Sequence, residues 1–182
     1  HLERTDAEPR APTLARAVIS EIRTLTPTTR LLRLKAEGSF SFAPGQWVDF
    51  KIPTLEHVGG FSMSSIPAEL PFFDLAVKGS HSPPALWVHE EAAVGSEVQV
   101  RVGGGFKLAD GWLRQCALFV AAGVGINPIF SMLRHAFTTG GDGGGPPSAT
   151  LLFSASSVEE LGFREELDEL ASMATEEPPV RQ

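Results

Sequence analysis

Through the first hundred residues, apolar and polar positions repeat with a period of two. In Gln46–Ile52 the apolar Val48, Phe50 and Ile52 alternate with Trp47, Asp49 and Lys51, as expected of a half-buried strand. Phe73, Leu75 and Val77 repeat the pattern, and Val98, Val100 and Val102 alternate with Gln99 and Arg101. Ala17–Arg23 and Thr29–Leu34 read as two further strands, and Pro44-Gly45, Pro53, Gly79 and Gly95 punctuate the runs as turns. Pro83–Ala92 breaks the rhythm: its leading prolines suit the first turn of a short helix. Short antiparallel strands with regular turns predict a small closed barrel.

After Gly111 the rhythm changes. An apolar run, Ala117–Ala122, stops at Gly123-Val124-Gly125-Ile126-Asn127-Pro128, and an amphipathic segment continues to Phe137. This predicts a buried strand, a glycine turn and a helix, a layout that presents backbone N–H groups to a phosphate. Gly123 and Gly125 place no Cβ between the chain and a pyrophosphate. By itself the motif fits equally well a tight connection that binds nothing. The glycine-rich Gly140–Pro147 predicts a mobile loop, and Ala149–Ser154 a second buried strand. Ser156 and Ser157, each followed by a glutamate three residues on (Glu159, Glu160), form overlapping capping boxes. They predict the start of a helix with Phe163, Leu167, Leu170 and Ala174 on its apolar face. A βαβα order implies a parallel sheet. Only two strands are legible, against about five or six in a complete open nucleotide-binding sheet. With the tail Thr175–Gln182 read as a loop, the domain is expected to be incomplete.

The 182 residues suffice for one or two domains. Acids outnumber Lys and Arg by 22 to 15 and no basic patch stands out, which argues against nucleic acid or an anionic membrane as a partner. No apolar run reaches the length of a membrane span. The single cysteine, Cys116, excludes an internal disulfide and reads as a small buried thiol. The first dozen residues, rich in Pro, Ala and charge, predict a loose tail, and a start at His1 rather than Met suggests a processed or excised chain. Hydrolase and NTPase chemistry lack their G-x-S-x-G and G-K-[ST] motifs. His57, His81, His89 and His135 show no metal-ligand grouping.

The order of motifs resembles the ferredoxin–NADP reductase superfamily. Phe42–Val48 resembles its F-x-P-G-Q segment, and Gly59-Gly60-Phe61-Ser62 sits at its R-x-Y-S. Leu75–Lys78 is similar to its next strand, Gly104–Phe106 lies near its G-P-x-G-x-F turn, and Gly123–Pro128 resembles its G-x-G-x-x-P loop. Phe163–Leu167 resembles the start of its second nucleotide-domain helix. Within the superfamily, Gly59–Ser62, Ala76–Lys78, Pro83–Glu90, Val100–Gly104 and Ala122–Pro128 resemble most the animal group called oxidoreductase NAD-binding domain-containing protein 1. That group is expected in mitochondria and has no settled substrate.

The resemblance implies a six-stranded flavin-binding barrel over 14–111, followed by the N-terminal part of an NAD-binding domain over 112–182. It implies hydride transfer from a nicotinamide dinucleotide to a flavin, then to an unidentified small or protein acceptor. Carried over, Phe61 is the aromatic that stacks on the flavin ring and Ser62 the hydroxyl near N5, with Met63 and Lys78 beside them. Gly123, Val124, Gly125, Ile126, Asn127 and Pro128 meet the dinucleotide, with Ser154 and Ser156 at the end of the second strand. Glu159 and Glu160 disfavour a 2′-phosphate, so NADH is preferred to NADPH, with Arg164 as the counter-indication. Two departures bear on the flavin. The family's phosphate-binding arginine falls on Gly59, with His57 or Lys78 as the expected partial substitute. Its later Ser/Thr falls on Ala85, or on Ser82 after a shift. FAD, weakly held flavin, FMN and no flavin all stay open, and with them an alternative reading as a nucleotide-binding or assembly protein without flavin chemistry. The family's C-G-P-P motif near the nicotinamide is absent.

Overall fold

The computed structural model describes residues 1–108, 116–138 and 149–175. Six strands form one antiparallel sheet: β1 (Ala15–Thr26), β2 (Thr29–Ala36), β3 (Trp47–Lys51), β4 (Val58–Ser62), β5 (Phe72–Lys78) and β6 (Glu97–Gly103), in the order β4-β3-β6-β1-β2-β5. The alternation fixes which face is buried: Val48, Phe50, Phe73, Leu75, Val77, Val98 and Val100 fill the core of the curled sheet. The edge strands β4 and β5 meet through a single bridge, Met63 to Leu75, beside a hydrogen bond from Ser64 N to Asp74 O. The expected closed barrel is therefore a six-stranded sheet without a continuous ladder at its seam. Helix α1 (Pro83–Glu90) plugs one end, burying Ala85, Trp87 and Val88.

The second unit is the strand–helix–strand–helix the pattern predicts. Strand β7 (Ala117–Ala122) pairs in parallel with β8 (Ala149–Ser154), flanked by α2 (Ile126–Thr138) and α3 (Arg164–Thr175). Phe119, Ala121, Ile129, Phe130, Leu133, Phe163 and Leu170 form its core, which also takes in Leu31 and Ala76 from the barrel. The domain boundary at 111/112, the Gly140–Pro147 loop and most of the tail from Thr175 lie outside the described residues.

Several expectations are corrected. Neither parallel strand is buried on both faces: Phe119 and Ala121 point inward, while Leu118 and Val120 are exposed, as is Leu152 of β8. Period-two geometry places Cys116 on the open face of Leu118 and Val120, so its thiol is exposed rather than buried. The capping boxes do not start the helix. Ser157 opens a single 3₁₀ turn, Val158–Glu160, with no hydroxyl cap, and α3 begins only at Arg164. Between them the chain turns through Phe163, at φ 61°, whose ring stacks on Phe130 at 4.3 Å. Packing of Phe163 thus overrides the local cap signal.

The first dozen residues are not loose. Arg10 bridges Gly103, Ala11 N donates to Val102 O, and Gly104 N donates to Pro9 O. The anchor is Asp49 on the outer face of β3, only 1% exposed. It accepts from Arg10 Nε at 3.0 Å and from Arg101 Nη2 at 2.7 Å. Arg10 also lies over the Trp47 ring, 5.0 Å from its centroid. A carboxylate covered in this way needs its cations, and the N-terminal segment supplies one of them.

Candidate functional site

Between the two units lie adjoining cavities. The larger, of about 420 Å³, runs along the Gly123 turn and is walled by Gly123, Val124, Ser154, Ser156, Thr26 and Glu160. Parallel pairing puts Ala122 opposite Ser154, so the glycine turn and the end of β8 meet at one sheet edge. Gly123–Gly125 form a 3₁₀ turn with no side-chain cap that runs directly into α2. The leading N–H groups of such a helix have no partner within it and carry the positive end of its dipole. Gly123 sits at φ 50°, and a Cβ on either Gly123 or Gly125 would meet nothing within 4 Å. The space beside the turn is open, as a bound phosphate group would require.

Glu160 holds the outer wall. Its carboxylate accepts from Thr28 Oγ1 at 2.7 Å, Thr28 N at 3.1 Å and Thr26 Oγ1 at 3.0 Å, clamping the 3₁₀ turn to the β1–β2 hairpin. The Thr28 bonds hold its carboxyl below the ordinary carboxylate range, so it is charged at neutral pH. Arg164 is turned away on exposed α3, 4.0 Å from Asp168.

The second cavity, about 350 Å³, lies against the barrel, with Phe61, Ser62, Ser80, Ser82 and Ala85 on its walls. Three residues line both cavities: Lys78 at the end of β5, Val124 and Asn127. Asn127 is buried and donates through Nδ2 to Ala76 O at 2.8 Å, while its Oδ1 has no partner. Its side chain therefore ties α2 to the barrel at the junction of the cavities, a role the glycine motif did not reveal. Ser131 and Arg134 continue that face of α2: Ser131 Oγ donates to Ser65 O at 2.6 Å, and Arg134 pairs with Glu69 at 3.0 Å. The spacing 127, 131, 134 was the legible signal, a polar row at helical period.

Of the residues expected around a flavin, Phe61, Ser62 and Lys78 share the barrel-side cavity. Met63 does not: it is fully buried among Phe73, Leu75 and their neighbours, because at the seam its side chain falls on the inner face. Of the dinucleotide set, Gly123, Val124, Ile126, Asn127, Ser154 and Ser156 line the turn-side cavity, with the Ile126 side chain mostly given to the core. Gly125 and Pro128 lie on the turn and the first turn of α2, outside that lining.

The oxidoreductase NAD-binding domain family matches residues 119–180. The ferredoxin–NADP+ reductase of Plasmodium falciparum superposes over 87% of this chain and 65% of its own, with a TM-score of 0.76 at 17% identity. The Amycolatopsis cytochrome P450 reductase GcoB superposes over 92% and 50%, with a TM-score of 0.75 at 19% identity. The chain has the ferredoxin–NADP reductase fold, and its second unit is similar to the oxidoreductase NAD-binding domain. In sequence it is 40% identical to the oxidoreductase NAD-binding domain-containing protein 1 of Bos taurus, over 94% of this chain and 60% of that protein, and 42% identical to that of Danio rerio, over 91% and 65%. It thus spans about three fifths of the length of the relatives it matches. Among the described residues, no helix is long and apolar enough to cross a membrane.

The solved structures of this fold include the FAD/NAD binding domain of a nitric oxide dioxygenase from Vibrio cholerae, which raises the question of a flavin here. The ring end of the barrel cavity fits one: Phe61 offers an aromatic edge, itself edge-on to Phe50 at 5.4 Å, with the Ser62 hydroxyl next to it. The diphosphate end does not fit. A Cβ at Gly59 would stand 2.8 Å from Phe61 Cε2 and 3.0 Å from Pro84 Cβ, so the missing arginine has left no open slot. His57 is exposed.

Proposed function

We propose that this chain is the nucleotide-binding part of an NADH-dependent flavin oxidoreductase. The observation that carries this reading is the pair of adjoining cavities with Lys78, Val124 and Asn127 common to both. The turn-side cavity takes the dinucleotide, and its junction with the barrel side is where a nicotinamide ring would meet its electron acceptor. When bound, a flavin supplies a two-electron acceptor that can release electrons singly. The protein's part is position and polarity. The uncapped turn Gly123–Gly125 donates backbone N–H groups to the pyrophosphate, and the α2 dipole favours its charge. Ser154 and Ser156 present hydroxyls to a ribose. The ionised Glu160 repels a 2′-phosphate, which favours NADH over NADPH. Lys78 brings a cation to the junction, Phe61 an apolar wall and Ser62 a hydroxyl. The acceptor, whether a small molecule or a redox protein, and a mitochondrial location belong to the same proposal.

A second reading, a nucleotide-binding or assembly protein without flavin chemistry, is favoured by the filled space at Gly59. The visible spectrum of the full-length protein, before and after NADH, separates the two. The dinucleotide site is tested by Gly125→Val. Its side chain enters open space, so the melting temperature should hold within about 2 °C while NADH affinity falls tenfold or more by calorimetry, a loss of about 1.4 kcal/mol or more. An intact fold with unchanged affinity refutes the site.

A further inference from the structure

We infer that the barrel-side cavity holds a flavin by its ring and gives the adenylate half of FAD no purchase, so that FAD and FMN bind alike. This rests on the flavin reading above. A diphosphate brings more than one negative charge into a site and is ordinarily met by a guanidinium fork or by free helix N–H groups. The walls of this cavity hold one cation, Lys78, at the nicotinamide junction. The helix that opens beside it, α1, begins Pro83-Pro84, so its first two residues have no N–H to offer. The donors that follow add little: Leu86 N already bonds Ser82 O, which leaves the Ala85 N–H alone at the start of the helix. Pro84 and the Phe61 ring together occupy the volume a side chain at Gly59 would need. What remains is an aromatic wall at Phe61 and the hydroxyls of Ser62, Ser80 and Ser82, suited to a planar heterocycle and a polyol chain.

The experiment uses the full-length protein stripped of bound flavin, titrated with riboflavin, FMN and FAD by flavin fluorescence. FMN and FAD should bind within threefold of each other, and ADP at millimolar concentration should not displace either. FAD binding tenfold or more tighter than FMN, or displacement by ADP, overturns the inference. Gly59→Arg adds a second measure. The Cβ collision predicts no gain for FAD over FMN, and a tenfold gain would show that the cradle lacked only its cation. If no flavin binds while NADH still does, the flavin reading itself fails, and this inference with it.

Discussion

Asp74 should be the residue through which pH acts on the stability of this fold. It lies on β5 in a third inter-unit cavity, about 330 Å³, facing Arg33 and Glu69 from the barrel and Arg134 from α2. Its Oδ1 has no hydrogen-bond partner, and the nearest cation, Arg33 Nη1, is 3.6 Å from Oδ2. Burial raises its carboxyl from 3.8 to about 6, with Glu69 adding to the rise and Arg33 and Arg134 opposing it. A carboxyl raised on folding makes the native state bind more protons than the unfolded one, so stability falls as pH climbs from about 4 to 6. At about 1.4 kcal/mol per pH unit, the ionised form costs up to about 3 kcal/mol above that window. Asp74→Asn removes the charge at similar volume and leaves the backbone bonds of residue 74 in place. At pH 7.5 the variant should melt up to about 6–12 °C higher, taking about 2–4 °C per kcal/mol for a chain of this size. The gap should close toward pH 4. Calorimetric melts of both proteins from pH 4.5 to 8 measure it. Parallel curves, or a variant less stable at pH 7.5, would refute the reasoning and show that the Arg33 and Arg134 pairings outweigh burial.

Two further substitutions probe the walls of the site. Glu160→Gln loses a charge-assisted clamp whose contribution is present above the ordinary carboxylate range and lost as pH falls through it. Hydrogen exchange in 155–163 should quicken at pH 7 and discrimination against NADPH should narrow; unchanged exchange would mean that packing alone holds the turn. Ser131→Ala leaves Ser65 O without its buried donor and should cost about 1–3 kcal/mol in urea unfolding with an unchanged m-value.

The strands were legible because alternation on a half-buried sheet is a local property, and five of the six could be read directly. Strand β4 could not: two of its five residues are glycine, which carry no hydropathy signal. The glycine turn was readable because two glycines after an apolar run mark a break in the backbone. What escaped depended on contacts across the chain. Asp49 reads as an outward polar residue until Arg10 closes over it. Cys116 and the parallel strands read as buried because hydropathy does not say which face has a neighbour. The start of α3 was misplaced because Glu160, half of a capping box by spacing, reaches instead to the β1–β2 hairpin, and Ser157 engages the Glu159 side chain. Within the site, the placement of Ser154 and Glu160 beside the glycine turn could be anticipated from the end of the second strand, whereas Asn127 as a tie to the barrel could not.

The row Asn127, Ser131 and Arg134 fastens α2 to three separate points on the barrel, while Glu160 fastens the far edge at Thr28. Two of these anchors are buried hydrogen bonds to main-chain carbonyls, which a hinge motion would have to break. Widening the gap between the units would therefore break contacts at both of its edges.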